Sequence, residues 1–111
     1  MQKPKVLIVD DMLDIRVTFT CMLGSLDVDI DSADSAAKAL SFLELNEYAV
    51  ILMDIEMPGM TGFECVSKIR QNPRTQHIPV IFITALGYDH HFVDEGYYLG
   101  AVDYLVKPVH T

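Results

Sequence analysis

Basic residues, cysteines and long apolar runs are all scarce in this sequence of 111 residues. Eight lysines and arginines stand against sixteen acidic residues, which gives a formal net charge of -8. Because proteins hold the phosphate backbone of nucleic acids with clustered Lys and Arg, this composition argues against a nucleic-acid partner. No apolar run approaches the roughly 18 residues of a membrane span, and Met1 to Pro4 lack the apolar core of a signal peptide. We therefore expect a protein that is neither secreted nor inserted in a membrane.

Cysteine is limited to Cys21 and Cys65, whose separation does not match the ligand spacing of a zinc site. Both fall in segments with a helical pattern, where a small apolar thiol usually packs in the core. We expect two reduced packing thiols, and this use of cysteine favours a cytoplasmic location.

The apolar residues, half of the chain, are arranged in short segments that predict one α/β domain. Strands alternate with helices of about ten residues, which implies right-handed crossovers and a parallel sheet covered on both faces. The predicted strands are 5–9, 28–33, 50–53, 79–83 and 103–106. The predicted helices are 14–24, 36–43, 63–70 and 89–99. The first helix is expected to pack one apolar face on the sheet, formed by Ile15, Phe19, Met22, Leu23 and Leu26.

Polar side chains come directly after four of the predicted strands. They are Asp10 and Asp11, Asp54, Thr84 and Lys107. In an open parallel sheet the carboxyl ends of the strands border the ligand crevice, so these groups are expected to converge. Taken alone, Asp10 or Asp11 could equally be an acid that caps the following helix.

Clustered carboxylates need a compensating cation, because two of them a few ångströms apart repel by roughly 4 kcal/mol at an effective dielectric constant near 20. Mg²⁺ is suited to this role, with Asp11 and Asp54 as ligands and Asp10 orienting a water molecule. Lys107 offers a positive charge for a phosphoryl oxygen, and Thr84 offers a hydroxyl donor.

Four segments in this order resemble the response-regulator receiver domains of two-component signalling, and the resemblance covers essentially the whole chain, 1–111. The segments are Val9-Asp10-Asp11, the run from Leu52 to Gly62, Thr84-Ala85, and Asp103 to Pro108. The resemblance implies a flavodoxin-like, doubly wound sheet of five parallel strands in the order 2-1-3-4-5. It also implies a regulatory domain of a phosphorelay rather than an enzyme.

By this resemblance, Asp54 is the phosphoacceptor and takes the phosphoryl group from a histidine kinase or a histidine phosphotransfer domain. Asp11, Asp54 and the backbone carbonyl of Glu56 would hold Mg²⁺ or Mn²⁺. Asp10 would lie next to these ligands without binding the ion directly. Lys107 would pair with the phosphoryl group.

The same resemblance implies a conformational switch. Thr84 would move to hydrogen-bond the phosphoryl group, and the ring of Tyr104 would then turn inward, although a strand aromatic that merely packs on the fourth helix remains an alternative. A cis bond before Pro108 would aim Lys107 into the site. The fourth helix and fifth strand, with Tyr97 and Tyr98, would form the surface that contacts an output domain or partner.

Two features leave alternatives open. Receiver domains normally end in a fifth helix, which this chain lacks, so we expect a C-terminal truncation, with cover of that face by a neighbouring chain as the alternative. A catalytic output domain beyond residue 111 is compatible with the sequence. Glu56 stands two residues after Asp54, where a phosphatase that forms an aspartyl-phosphate would carry a second acid. A module that binds partners without phosphorylation is the other alternative.

Overall fold

The computed structural model describes residues 3–84, 99–100 and 103–107, and its described strands form one parallel sheet. The strands are β1 (Lys5–Val9), β2 (Asp29–Ala33), β3 (Val50–Asp54), β4 (Val80–Thr84) and β5 (Asp103–Val106). They are hydrogen-bonded in the order β2-β1-β3-β4-β5, and every neighbouring pair is parallel. This confirms the predicted α/β fold and strand order.

The described helices are α1 (Leu13–Leu23), α2 (Ala36–Leu45) and α3 (Gly62–Gln71), close to the predicted bounds. Local signals in the sequence explain where two of them begin. The Ser35 hydroxyl accepts a hydrogen bond from the backbone N–H of Lys38, and Thr61 forms a reciprocal capping box with Glu64 at the start of α3. The predicted fourth helix, 89–99, lies outside the described residues except for Leu99. Residues 108–111 also lie outside them.

The core lies on both faces of the sheet, because successive side chains of a buried strand point to opposite sides. On one face Leu7, Val9, Ile51 and Met53 pack with residues of α2 and α3. On the other face Val6, Ile8, Leu52 and Ile83 pack with Ile15 and Phe19 of α1. The two-sided burial of β1 and β3 accounts for their continuous apolar sequences.

The predicted apolar face of α1 is wrong at two of its five residues. Ile15 and Phe19 are buried, but Met22 is 61% exposed and Leu26, beyond the end of the helix, is 56% exposed. Because helical residues turn by about 100° each, Met22 lies only about 20° around the helix from Ile15, so the side of the helix it occupies does not explain its exposure. Cys21 is exposed as well, so it does not serve packing.

Cys65, in contrast, is a buried free thiol, and burial raises its pKa to about 11. This agrees with a packing role for that residue. None of the helices in the described part of the chain is long and apolar enough to cross a membrane.

Candidate functional site

The carboxyl ends of β1, β3, β4 and β5 bring together the acidic and basic groups that the sequence places there. One carboxylate oxygen from each of Asp10, Asp11 and Asp54 lies within 4.8 Å of the other two. Nζ of Lys107 lies 3.1 Å from Oδ1 of Asp54 and 3.4 Å from Oδ2 of Asp10. Thr84, the last residue of β4, is buried at the same edge. The five polar residues therefore do converge.

The pairing of β5 with β4 positions Lys107. Val106 lies opposite Thr84 in the register, and the backbone N–H of Lys107 donates to the Thr84 carbonyl at 2.7 Å. The lysine side chain is only 17% exposed, and both of its ionic partners are buried. Burial alone would lower the pKa of Lys107, but the charges of Asp54 and Asp10 raise it above its usual value. Lys107 is therefore a fixed ammonium ion at neutral pH.

Asp10 is fully buried and forms the turn between β1 and α1. Its Oδ1 accepts a hydrogen bond from the backbone N–H of Met12 at 2.9 Å, and its own N–H donates to the Ala33 carbonyl at 3.1 Å. Burial raises the pKa of Asp10, although the Met12 N–H and Lys107 act in the opposite direction. Asp10 thus holds the turn between β1 and α1 and belongs to the acidic cluster, but it does not cap α1, because its bond goes to the N–H of the N-cap residue Met12.

Asp54 is the most perturbed acid of the site. It is 1% exposed, and burial together with the nearby charge of Asp10 raises its pKa to about 7, against the lowering effect of Lys107. Its Oδ2 is buried and accepts no hydrogen bond from any residue in the described ranges. A buried carboxylate oxygen without a donor is costly, so this atom needs a further positive or hydrogen-bonding partner.

The donor set fits a hard divalent cation. Within the described part of the chain, three carboxylates cluster and one ammonium group, Lys107, pairs with two of them, and Mg²⁺ or Mn²⁺ binds such oxygen ligands. Asp11 is exposed and Asp54 is buried, so an ion between them would have protein on one side and solvent on the other. The Glu56 side chain is exposed, and a ligand role for its backbone carbonyl stays a prediction.

Gly62, the last residue of the run from Leu52, has a packing role that its motif does not predict. Its N–H donates to the Ile55 carbonyl at 2.8 Å, and a Cβ atom at this position would overlap the backbone carbonyl of Asp54. The start of α3 therefore packs directly on the backbone that carries Asp54. A glycine eight residues after a strand-end acid is the only sequence signal for this contact.

Several predicted residues cannot be placed in the site. The backbone of Tyr104 pairs with Phe82 between β5 and β4, but its side chain is outside the described part, as are Tyr97, Tyr98 and Pro108. The predicted cis bond and the predicted output surface therefore stay predictions.

Comparison with known proteins gives a consistent result. The family model described as the response regulator receiver domain matches residues 6–111. A probable cyclic di-GMP phosphodiesterase of Vibrio cholerae is 42% identical over 106 residues, which are 94% of this chain and 23% of that protein. The transcriptional regulatory protein SrrA of Staphylococcus aureus is 36% identical over 104 residues, 94% of this chain and 42% of that protein.

The chain thus spans less than half of the length of these curated relatives. Among solved structures, the chemotaxis protein CheY4 of Vibrio cholerae superimposes with a TM-score of 0.89 at 30% identity, covering 98% of this chain and 90% of that one.

Proposed function

The chain belongs to the family of response regulator receiver domains, which are regulatory domains of two-component signalling, and from this premise we propose that Asp54 is its phosphoacceptor. The observation that carries the proposal is the state of this side chain. Asp54 is buried, Lys107 is 3.1 Å from one carboxylate oxygen, and the other oxygen accepts no hydrogen bond from the described residues. One oxygen is therefore held while the other is available for reaction.

The proposed step is an in-line displacement at phosphorus. A carboxylate oxygen of Asp54 attacks the phosphorus of a phosphohistidine or of a small acyl phosphate. The new O–P bond forms while the bond from phosphorus to the leaving nitrogen or oxygen breaks, and the leaving group keeps the electron pair. The Lys107 ammonium, already beside Asp54, pairs with a phosphoryl oxygen as negative charge is transferred. Thr84 donates its hydroxyl to the same group.

We propose that Asp11, Asp54 and the Glu56 carbonyl hold Mg²⁺ or Mn²⁺, with Asp10 supporting them through the β1–α1 turn. When bound, the ion would neutralise charge on the phosphoryl oxygens. Asp54 must be ionised in order to attack, and Lys107 stabilises that form at neutral pH.

The proposed consequence of phosphorylation is a change in the surface of the fourth helix and β5. Thr84 moves towards the added charge, and Tyr104 follows. The phosphoryl donor would be a histidine kinase or a histidine phosphotransfer domain in the cytoplasm. The changed surface would contact an output domain or a separate partner. The names of the relatives would fit a chain that is one domain of a longer phosphodiesterase or transcriptional regulator.

Two other functions remain as alternatives. A binding module that is never phosphorylated would not need a lysine held between two buried acids. A phosphatase would use Glu56 as its second acid, and the exposure of that side chain leaves it free to approach a substrate from solvent.

The test is intact mass after incubation with acetyl phosphate, with Mg²⁺ or with EDTA. The unmodified chain should gain one phosphoryl group only with Mg²⁺, and Asp54→Asn should gain none. Asp29→Asn is a matched control, because Asp29 is an exposed acid at the amino end of β2, opposite the carboxyl ends of the strands where the site lies. No gain in the unmodified, folded chain would count against phosphoryl acceptance, and a gain in Asp54→Asn would assign the acceptor elsewhere.

A further inference from the structure

The turn between β1 and α1 sets the position of Asp11, yet few contacts define it. Helix α1 begins after Met12 without a side-chain cap. The carboxylate of Asp10 holds the Met12 N–H, and Asp11 itself is exposed to solvent. A metal ligand on an exposed turn loses affinity if the turn is free to move, because the ordering of the turn then opposes binding.

Arg16 supplies the missing restraint from within α1. Its Nη1 donates to the backbone carbonyl of Asp10 at 2.7 Å, a short bond of the charge-assisted kind. The side chain is half-buried, and its own backbone N–H donates to the Met12 carbonyl at 3.2 Å. One residue of the first helical turns therefore connects the end of β1 to the start of α1.

We propose that Arg16 is a positioning residue for the cation site: by holding the Asp10 carbonyl, it fixes the turn from which Asp11 reaches Asp54. The inference rests on the proposed function, since it concerns the same acidic cluster. The contact assigned to Arg16 is with the Asp10 carbonyl and not with the ion or the phosphoryl group. It acts through the backbone of the turn.

The charge of Arg16 makes the test decisive, because charge and positioning predict opposite results. A positive group near an acidic cluster competes with a cation, so its removal would strengthen Mg²⁺ binding if charge were its only effect. Loss of a group that orients ligands typically weakens metal affinity by about 10- to 100-fold. We expect Arg16→Ala to weaken Mg²⁺ binding by about tenfold.

The first experiment is calorimetric titration of the metal-free chain with Mg²⁺, for the unmodified protein, Arg16→Ala and Arg74→Ala. Arg74 is a suitable control, because it is an exposed arginine that also donates to a backbone carbonyl, that of Glu44 at 3.3 Å. Arg74→Ala should bind as the unmodified chain does. Equal or tighter binding in Arg16→Ala, when the unmodified chain binds Mg²⁺, would overturn the inference and leave the proposed function intact.

The rate of labelling by acetyl phosphate separates positioning from a general loss of stability. In Arg16→Ala the Mg²⁺ concentration for half-maximal rate should rise about tenfold, and the rate at saturating Mg²⁺ should return to that of the unmodified chain. A variant that is merely less stable would lose rate at every Mg²⁺ concentration, and that result would count against positioning.

Amide hydrogen exchange in EDTA provides a readout that needs no metal. Arg16→Ala should accelerate exchange of the Met12 N–H, which Asp10 holds, and leave the N–H groups of β3 unchanged. If the unmodified chain binds no Mg²⁺, the proposed function fails, and this measurement alone decides whether Arg16 orders the turn. Unchanged exchange at Met12 would then overturn the inference as well.

Discussion

Replacing Asp54 by asparagine should stabilise the metal-free domain, although it removes the proposed acceptor. Burial and the charge of Asp10 raise the pKa of Asp54 to about 7 in the folded chain. An aspartate in an unfolded chain has a pKa of about 3.9, and each pKa unit corresponds to about 1.4 kcal/mol. Ionising Asp54 at pH 8 therefore costs the folded state about 4 kcal/mol, and asparagine avoids this cost at nearly the same volume.

The sign of the pH dependence follows from the direction of the shift. Since the pKa is higher in the folded state, the folded chain holds this proton more strongly, and the associated stability is fully present below about pH 4. It is lost as the pH rises towards 7. The free energy of unfolding of Asp54→Asn should therefore exceed that of the unmodified chain by about 1.5 kcal/mol at pH 5 and about 4 kcal/mol at pH 8.

Urea unfolding in EDTA, followed by far-ultraviolet circular dichroism, measures both differences, since the chain has no tryptophan to report by fluorescence. Asp29→Asn removes an exposed acid and should change the free energy of unfolding by less than about 0.5 kcal/mol. Mg²⁺ at a hundred times its dissociation constant should stabilise the unmodified chain by about 2.7 kcal/mol and so narrow the gap to Asp54→Asn. An asparagine variant that is no more stable than the unmodified chain at pH 8 would refute the reasoning.

The remaining predictions concern two residues at the site and one, Arg70, near the amino ends of β4 and β5. Lys107→Ala leaves two buried carboxylates without their ammonium partner and should lower the free energy of unfolding at pH 8 by about 3 kcal/mol in urea titrations; an unchanged midpoint would contradict the ion-pair geometry. Gly62→Ala would drive a Cβ into the Asp54 carbonyl and should cost about 2 kcal/mol, measured in the same way, whereas a neutral result would mean that α3 moves freely. Arg70→Ala removes donors to the Ile78 and Leu99 carbonyls at 2.7 and 2.9 Å and should lower the free energy of unfolding by about 2 kcal/mol. Amide exchange next to β5 should become faster, and unchanged exchange there would contradict the prediction.

The sheet was predictable because each strand is encoded locally. Val50 to Met53 is a continuous apolar run with an acid at its end, and such a short run is typical of a strand buried on both faces. Convergence of Asp54 and Lys107 followed from the rule that parallel strands end at one edge. The strand order came from the resemblance, because pattern alone does not say which strands are neighbours.

Two contacts that were not predicted involve backbone carbonyls. Arg16 has no unusual sequence context, and its partner is a carbonyl, which every residue possesses. The overlap of a Cβ at Gly62 with the Asp54 backbone depends on how closely α3 approaches β3, and sequence patterns do not give that distance. Met22 has the spacing of a core residue, yet it lies in the last turn of α1 and is exposed, which the spacing alone does not reveal.

The properties of Asp54 connect the stability of the domain to its proposed switching. A carboxylate with a pKa of about 7 in the folded state is a site of local destabilisation of about 4 kcal/mol when ionised. Moving a two-state equilibrium from 1:99 to 99:1 requires about 5.5 kcal/mol. A cation would relieve this destabilisation, and added phosphoryl charge would increase it. Either change in free energy is of the same order as the free energy that the full shift requires, but smaller. In the proposed switch, new contacts at Thr84 and Lys107 would therefore have to contribute the remainder, and this would require the proposed acceptor, the hydroxyl and the ammonium group to share one edge of the sheet.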